Sequence, residues 1–87
     1  MAEFLLEVYM SRADRTKLEA GAGRARRAAE ELLGEGTPVR LLRAVFVPED
    51  ETCFYFYEAA SADAVREAAE RAVLPGRIAE TIGPSYT

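Results

Sequence analysis

The chain contains no histidine and only one cysteine, Cys53, in 87 residues. Without histidine there is no imidazole to serve as a metal ligand or general base. Any metal would fall to the Cys53 thiolate and to carboxylates, a weak set. Cys53 as a nucleophile would lack a histidine partner. With one cysteine, a disulfide framework within the chain is excluded, so the fold relies on packing. Also missing is any apolar run near the roughly 18 residues that span a bilayer. Met1-Ala2-Glu3 lacks the basic opening of a secretory leader. A soluble, cytoplasmic protein is therefore expected, with no membrane partner. Positive charge is in deficit: eleven Lys and Arg against fifteen Asp and Glu leave a net charge of −4. That balance argues against a nucleic-acid partner. Arg24, Arg26 and Arg27 do cluster, but Glu19, Glu30 and Glu31 flank them, so the group reads as a solvated helix face. No catalytic motif in the chain names a reaction.

What is present is a pattern. Residues 3–10, EFLLEVYM, place Phe4, Leu6, Val8 and Met10 on one face of a strand and Leu5, Glu7 and Tyr9 on the other. Thr16-Lys17-Leu18-Glu19 fits a capping box opening a helix. Its apolar stripe is Leu18, Ala22, Ala25, Ala29 and Leu32, and Gly34 and Gly36 end it. The Gly21-Ala22-Gly23 pattern is no nucleotide loop, because the glycines lie inside that stripe rather than after a strand. Residues 38–47 and 52–58 read as two strands joined by the tight acidic turn Pro48-Glu49-Asp50-Glu51. The three carboxylates of that turn lack the ligand spacing of a calcium loop. Ser61 caps a second helix whose stripe is Val65, Ala68, Ala69, Ala72 and Val73. Arg66–Glu70 and Glu67–Arg71 are expected as exposed pairs on its outer side. Pro75-Gly76 ends it, residues 77–82 form a short fourth strand, and residues 83–87 form a tail.

The order β-α-β-β-α-β defines one ferredoxin-like α+β domain across residues 1–87. The expected sheet has four antiparallel strands in the order 4-1-3-2, with both helices on one face.

Gly36-Thr37-Pro38-Val39-Arg40, residues 46–54 (FVPEDETCF), residues 58–66 (EAASADAVR), then Leu74-Pro75 and Ile78 resemble a family of small, actinobacterial-type proteins that includes a nickel-binding member. The resemblance covers nearly the whole chain and is strongest over residues 36–80. It implies a ferredoxin-like domain that pairs into homodimers, and a ligand- or metal-binding role.

The face not covered by helices is where a site is expected. In the third strand Phe54 and Phe56 suit the helix-side core. Cys53, Tyr55 and Tyr57 suit a half-wet face, since each tyrosine hydroxyl needs a partner. Glu7 and Tyr9 join them there, while Arg43 and Glu80 lie in strands too apolar to assign a face. Glu7, Tyr9, Arg43, Cys53, Tyr55 and Tyr57 thus form the candidate ligand-binding set. The same set would also serve as a dimer interface, where tyrosine and arginine are enriched. A small cofactor-free enzyme of the dimeric α+β barrel type and a purely structural dimer are the alternatives.

Overall fold

The computed structural model describes residues 1–82. Strand β1 (Ala2–Tyr9) leads through a short 3₁₀ turn into α1 (Lys17–Gly34). Strand β2 (Val39–Val47) and β3 (Thr52–Ala59) follow, joined by a second 3₁₀ turn, then α2 (Ala62–Arg71) and β4 (Arg77–Glu80). All neighbouring strands are antiparallel, in the order β2-β3-β1-β4. This is the ferredoxin-like arrangement expected. The tail, residues 83–87, lies outside the described residues.

Register explains which face is dry. The fully apolar face of β1, Phe4, Leu6 and Val8, is buried and stands opposite Tyr57, Tyr55 and Cys53. The helices close this face with small side chains. Ala25, Ala28, Ala29 and Leu32 of α1 and Ala64, Val65, Ala68 and Ala69 of α2 are buried against it. Small residues let a helix lie close to the sheet and leave room there for two tyrosine rings.

Local expectations are corrected at three points. Thr16 is already helical (φ −66°, ψ −17°) and makes no side-chain cap. A helical backbone turns its hydroxyl away from the amide a capping box would satisfy, and the chain instead enters α1 from the preceding turn through Leu18 N to Arg15 O at 3.1 Å. Arg24 is not simply solvated: its Nε donates to the Ala72 carbonyl at 2.9 Å, placing a cation at the C-terminus of α2. Arg66 pairs with Asp63 rather than with Glu70, whereas Glu67–Arg71 does form, at 3.9 Å.

A fourth correction concerns Val73, expected within the buried stripe of α2. It is 71% exposed and left-handed, with φ +57°. Leu74 N bonds Ala69 O at 2.9 Å and Val73 N bonds Glu70 O at 3.1 Å, which is the Schellman ending. Helix α1 ends in the same pattern with Gly36, φ +96°, in the left-handed position. A β-branched residue there costs about 1 kcal/mol or more. Val73→Gly, which forfeits almost no burial, is expected to raise the melting temperature by about 4–8 °C in thermal unfolding.

Candidate functional site

The sheet face away from the helices is built from four cross-strand rows. Arg40, Glu58 and Glu3 form one; Arg43, Phe56, Leu5 and Ala79 the next; then Val45, Phe54, Glu7 and Arg77; then Val47, Thr52 and Tyr9. The second row is apolar except for Arg43, and in the third Val45 and Phe54 adjoin the charged Glu7 and Arg77. A break in register between Leu41 and Arg43 bulges the edge strand β2 and leaves Leu42 exposed. Arg43 lays its guanidinium over the Phe56 ring, 4.4 Å from the centroid, a cation–π contact. Ion pairs bound the apolar centre. Arg40 Nη2 meets Glu58 Oε1 at 3.1 Å, and Arg77 Nη2 meets Glu7 Oε2 at 3.0 Å.

The six candidate residues do not share this face. Glu7, Tyr9 and Arg43 are on it, with Tyr9 73% exposed at the end of β1. Cys53, Tyr55 and Tyr57 are on the other side, with no exposed surface, and Phe54 and Phe56 occupy the open face in their place. The expectation is therefore reversed for the whole of β3. The reason is the pairing with β1. Turning Phe54 and Phe56 inward would carry their partners Glu7 and Leu5 inward as well, burying a carboxylate. One signal could have found this: Thr52 and Glu58 share the face of the phenylalanines, whereas positions 53, 55, 57 and 59 carry no charge. Glu80 stands opposite Phe4, in register with the helix-side face, but is exposed at the strand end.

Burying tyrosines has a chemical consequence. Among the described residues no group meets the geometry of a hydrogen bond to the Tyr55 or the Tyr57 hydroxyl, although Cys53 lies beside Tyr55. Burial pushes the Tyr57 hydroxyl up to about 12. Tyr55 is raised too, by burial first and then by its neighbour Cys53. Burial likewise raises the Cys53 thiol. All three groups stay protonated at physiological pH, so Cys53 is a packing residue here rather than a thiolate.

That bears on the nickel site implied by the resemblance. Cys53 is sealed in the core, while Glu7 and Glu58 are each engaged by an arginine. Among the described residues no three acidic or thiol side chains converge as metal ligands. The donor set of a single chain does not fit nickel. The acidic turn is occupied by its own structure. Glu51 takes a left-handed conformation (φ 46°) and its amide bonds Pro48 O at 3.1 Å.

The chain is thus defined as a ferredoxin-like α+β protein with an open, arginine-bearing sheet face. Among solved structures it is similar to SCO4226 from Streptomyces coelicolor A3(2), with a TM-score of 0.79 at 21% identity, covering 97% of this chain and 100% of that one. At that identity the likeness shows the fold. No protein-family model matches the chain, and no curated protein does. Among the described residues no helix is long and apolar enough to cross a membrane.

Proposed function

We propose that the protein is a cytoplasmic, non-enzymatic binding module that works as a homodimer closed over its open sheet face. The observation that carries this reading is the row Arg43, Phe56, Leu5 and Ala79. It presents a half-exposed apolar centre with a guanidinium stacked on its ring, between two bounding ion pairs. An aromatic and arginine-bearing centre with a charged rim is the usual composition of a protein interface. Three strands of about 26–30 Å and a fourth of about 13 Å, spaced about 4.8 Å apart, give each face about 450 Å², so two faces bring about 900 Å² toward the ~1,000 Å² that a specific interface needs.

Charge favours a second copy as the occupant. Arg43 and Glu3 both lie on this face, and neither has an ion-pair partner among the described residues. A two-fold contact that joins one protomer's Arg43 to its partner's Glu3 forms the pair twice. The ligand of such a module is a small molecule or a metal held between the two copies, since the donor set of one chain alone does not fit nickel.

The test is Phe54→Glu combined with Phe56→Glu, measured by light scattering and native mass spectrometry. The wild type is expected to be a dimer at tens of micromolar. The double variant is expected to be a folded monomer, since its new carboxylates are wet in one chain and desolvated between two. A monomeric wild type, or a double variant that remains dimeric, overturns the reading.

A further inference from the structure

The two edges of the sheet differ. Strand β2 is interrupted by the bulge between Leu41 and Arg43, whereas β4 pairs with β1 in unbroken register. Hydrogen bonds fix the direction of each β4 backbone group, because bonded and non-bonded pairs alternate along an antiparallel ladder. Thr81 N donates to Glu3 O at 3.0 Å in the β1–β4 register, so Leu5–Ala79 and Glu7–Arg77 are the bonded pairs. Across β1, Met10 N donates to Glu51 O at 2.9 Å in the β1–β3 register. The even residues of β1 thus bond β3 and the odd ones bond β4. Ile78 and Glu80 therefore turn their N–H and C=O groups away from β1, toward the free edge. A regular edge of this kind is a template for another strand.

The side chains beside that edge are complementary to a copy of themselves. Ile78 stands opposite Leu6 on the helix-side face and is partly buried. Between it and α2 lies a cleft of about 320 Å³, lined by Leu6, Ala69 and Leu74, with Arg66 and Glu70 at its rim. Arg66 and Glu70 are one helical turn apart on the same flank of α2 and carry opposite charges. A two-fold axis through the edge at Ile78 reverses the direction of the second α2. Arg66 of each copy then comes to Glu70 of the other, and the pair forms twice. Glu70 has no ion-pair partner among the described residues, and Arg66 meets only the exposed Asp63. The same axis sets Glu80 opposite the partner's Gly76, which has no side chain to obstruct it. Sliding the pairing to set Ile78 against Glu80 would press a carboxylate on an apolar side chain.

We propose that a second copy of this chain docks on the free edge of β4, antiparallel about Ile78, so that two four-stranded sheets run on as one of eight strands. The two Ile78 residues exchange backbone hydrogen bonds across the axis, and each copy closes the open side of the other's cleft. This surface is separate from the sheet face assigned above to the dimer, so the two contacts together make an assembly of four. A short strand and a few side chains make a weak contact, formed at higher concentration than the face dimer.

The experiment follows ¹⁵N amide shifts of the full-length Phe54→Glu, Phe56→Glu protein, whose face contact is removed, from about 50 µM to about 1 mM. The amides of Ile78 and Glu80 are expected to move with concentration far more than that of Ala79, which is bonded to Leu5. Glu80→Pro removes an outward N–H and leaves the β1 ladder intact, so it is expected to abolish the concentration dependence. Arg66→Glu and Glu70→Arg are each expected to weaken self-association about 5–10-fold, and the two together to restore it. Should the proline variant unfold, this charge exchange decides. The proposal is overturned by shifts at Ile78 and Glu80 that do not depend on concentration, the result expected if a different partner took the edge. It is overturned equally by a folded Glu80→Pro protein that associates as before, or by an exchanged pair no better than either single variant. Failure of the face dimer is read separately, as a wild type that is monomeric by mass at tens of micromolar.

Discussion

Gly76→Ala is expected to lower the melting temperature of this domain by about 12–24 °C, a loss of about 3 kcal/mol in thermal unfolding. The cause is space. A Cβ on Gly76 would stand 2.2 Å from the backbone oxygen of Glu7, and 3.0 Å from both the Glu7 carbonyl carbon and Val8 Cγ2. The obstacle is backbone in β1, a strand hydrogen-bonded on both sides by β3 and β4. It cannot swing away as a side-chain end would. Relief requires the loop before β4 to lift, which separates Ile78 from its partner Leu6 and loosens the Arg77–Glu7 ion pair. A domain of 87 residues has about 4–13 kcal/mol of stability in all, so this one methyl takes a large share. Gly34→Ala is the matched control: nothing lies within 4 Å of its Cβ position, and a small stabilisation is expected there. Equal melting temperatures for Gly76→Ala and the wild type would show that the loop before β4 does not rest on β1.

The architecture was legible because several signals agreed. One face of β1 is apolar throughout, the short acidic turn at residues 48–51 suits a hairpin, Gly36 ends α1, and Pro75-Gly76 follows shortly after the end of α2. The face of β3 was not legible in the same way. Every position from Cys53 to Tyr57 is apolar or aromatic, so period-two reasoning has two equal solutions. The need of a tyrosine hydroxyl for a partner favours one solution, and the structure takes the other. The stronger constraints were Glu7 across the ladder and Glu58 at the end of the strand, both of which hold the phenylalanines outward. Two hydroxyls were buried without partners because the alternative was a buried carboxylate, which costs more. Val73 departs from its expected place in the stripe for a different reason. Its apolar side chain continues the helical stripe of α2, and nothing in its type announces a left-handed residue where glycine usually stands.

The buried hydroxyl of Tyr55 also fixes the identity of Gly21. Glycine inside a helix normally costs about 1 kcal/mol relative to alanine, yet Gly21 sits well within α1. A Cβ there would lie 2.8 Å from the Tyr55 oxygen, closer than real Cβ contacts come. The tyrosine is wholly buried, so its ring has little freedom to retreat. Gly21→Ala is therefore expected to destabilise the domain by about 2 kcal/mol, the overpacking cost exceeding the helical gain. In the Tyr55→Phe background the obstructing oxygen is gone. Tyr55→Phe alone is expected to be neutral or to stabilise by about 1 kcal/mol, because it removes an unpartnered polar group. With the oxygen absent, Gly21→Ala should keep only its helical gain and become stabilising by about 0.5–1 kcal/mol. The sign of one substitution thus reverses with the other, and urea unfolding of the four proteins in the cycle is expected to measure a coupling of about 2.5–3 kcal/mol. Additive effects would mean that the hydroxyl does not stand against the glycine.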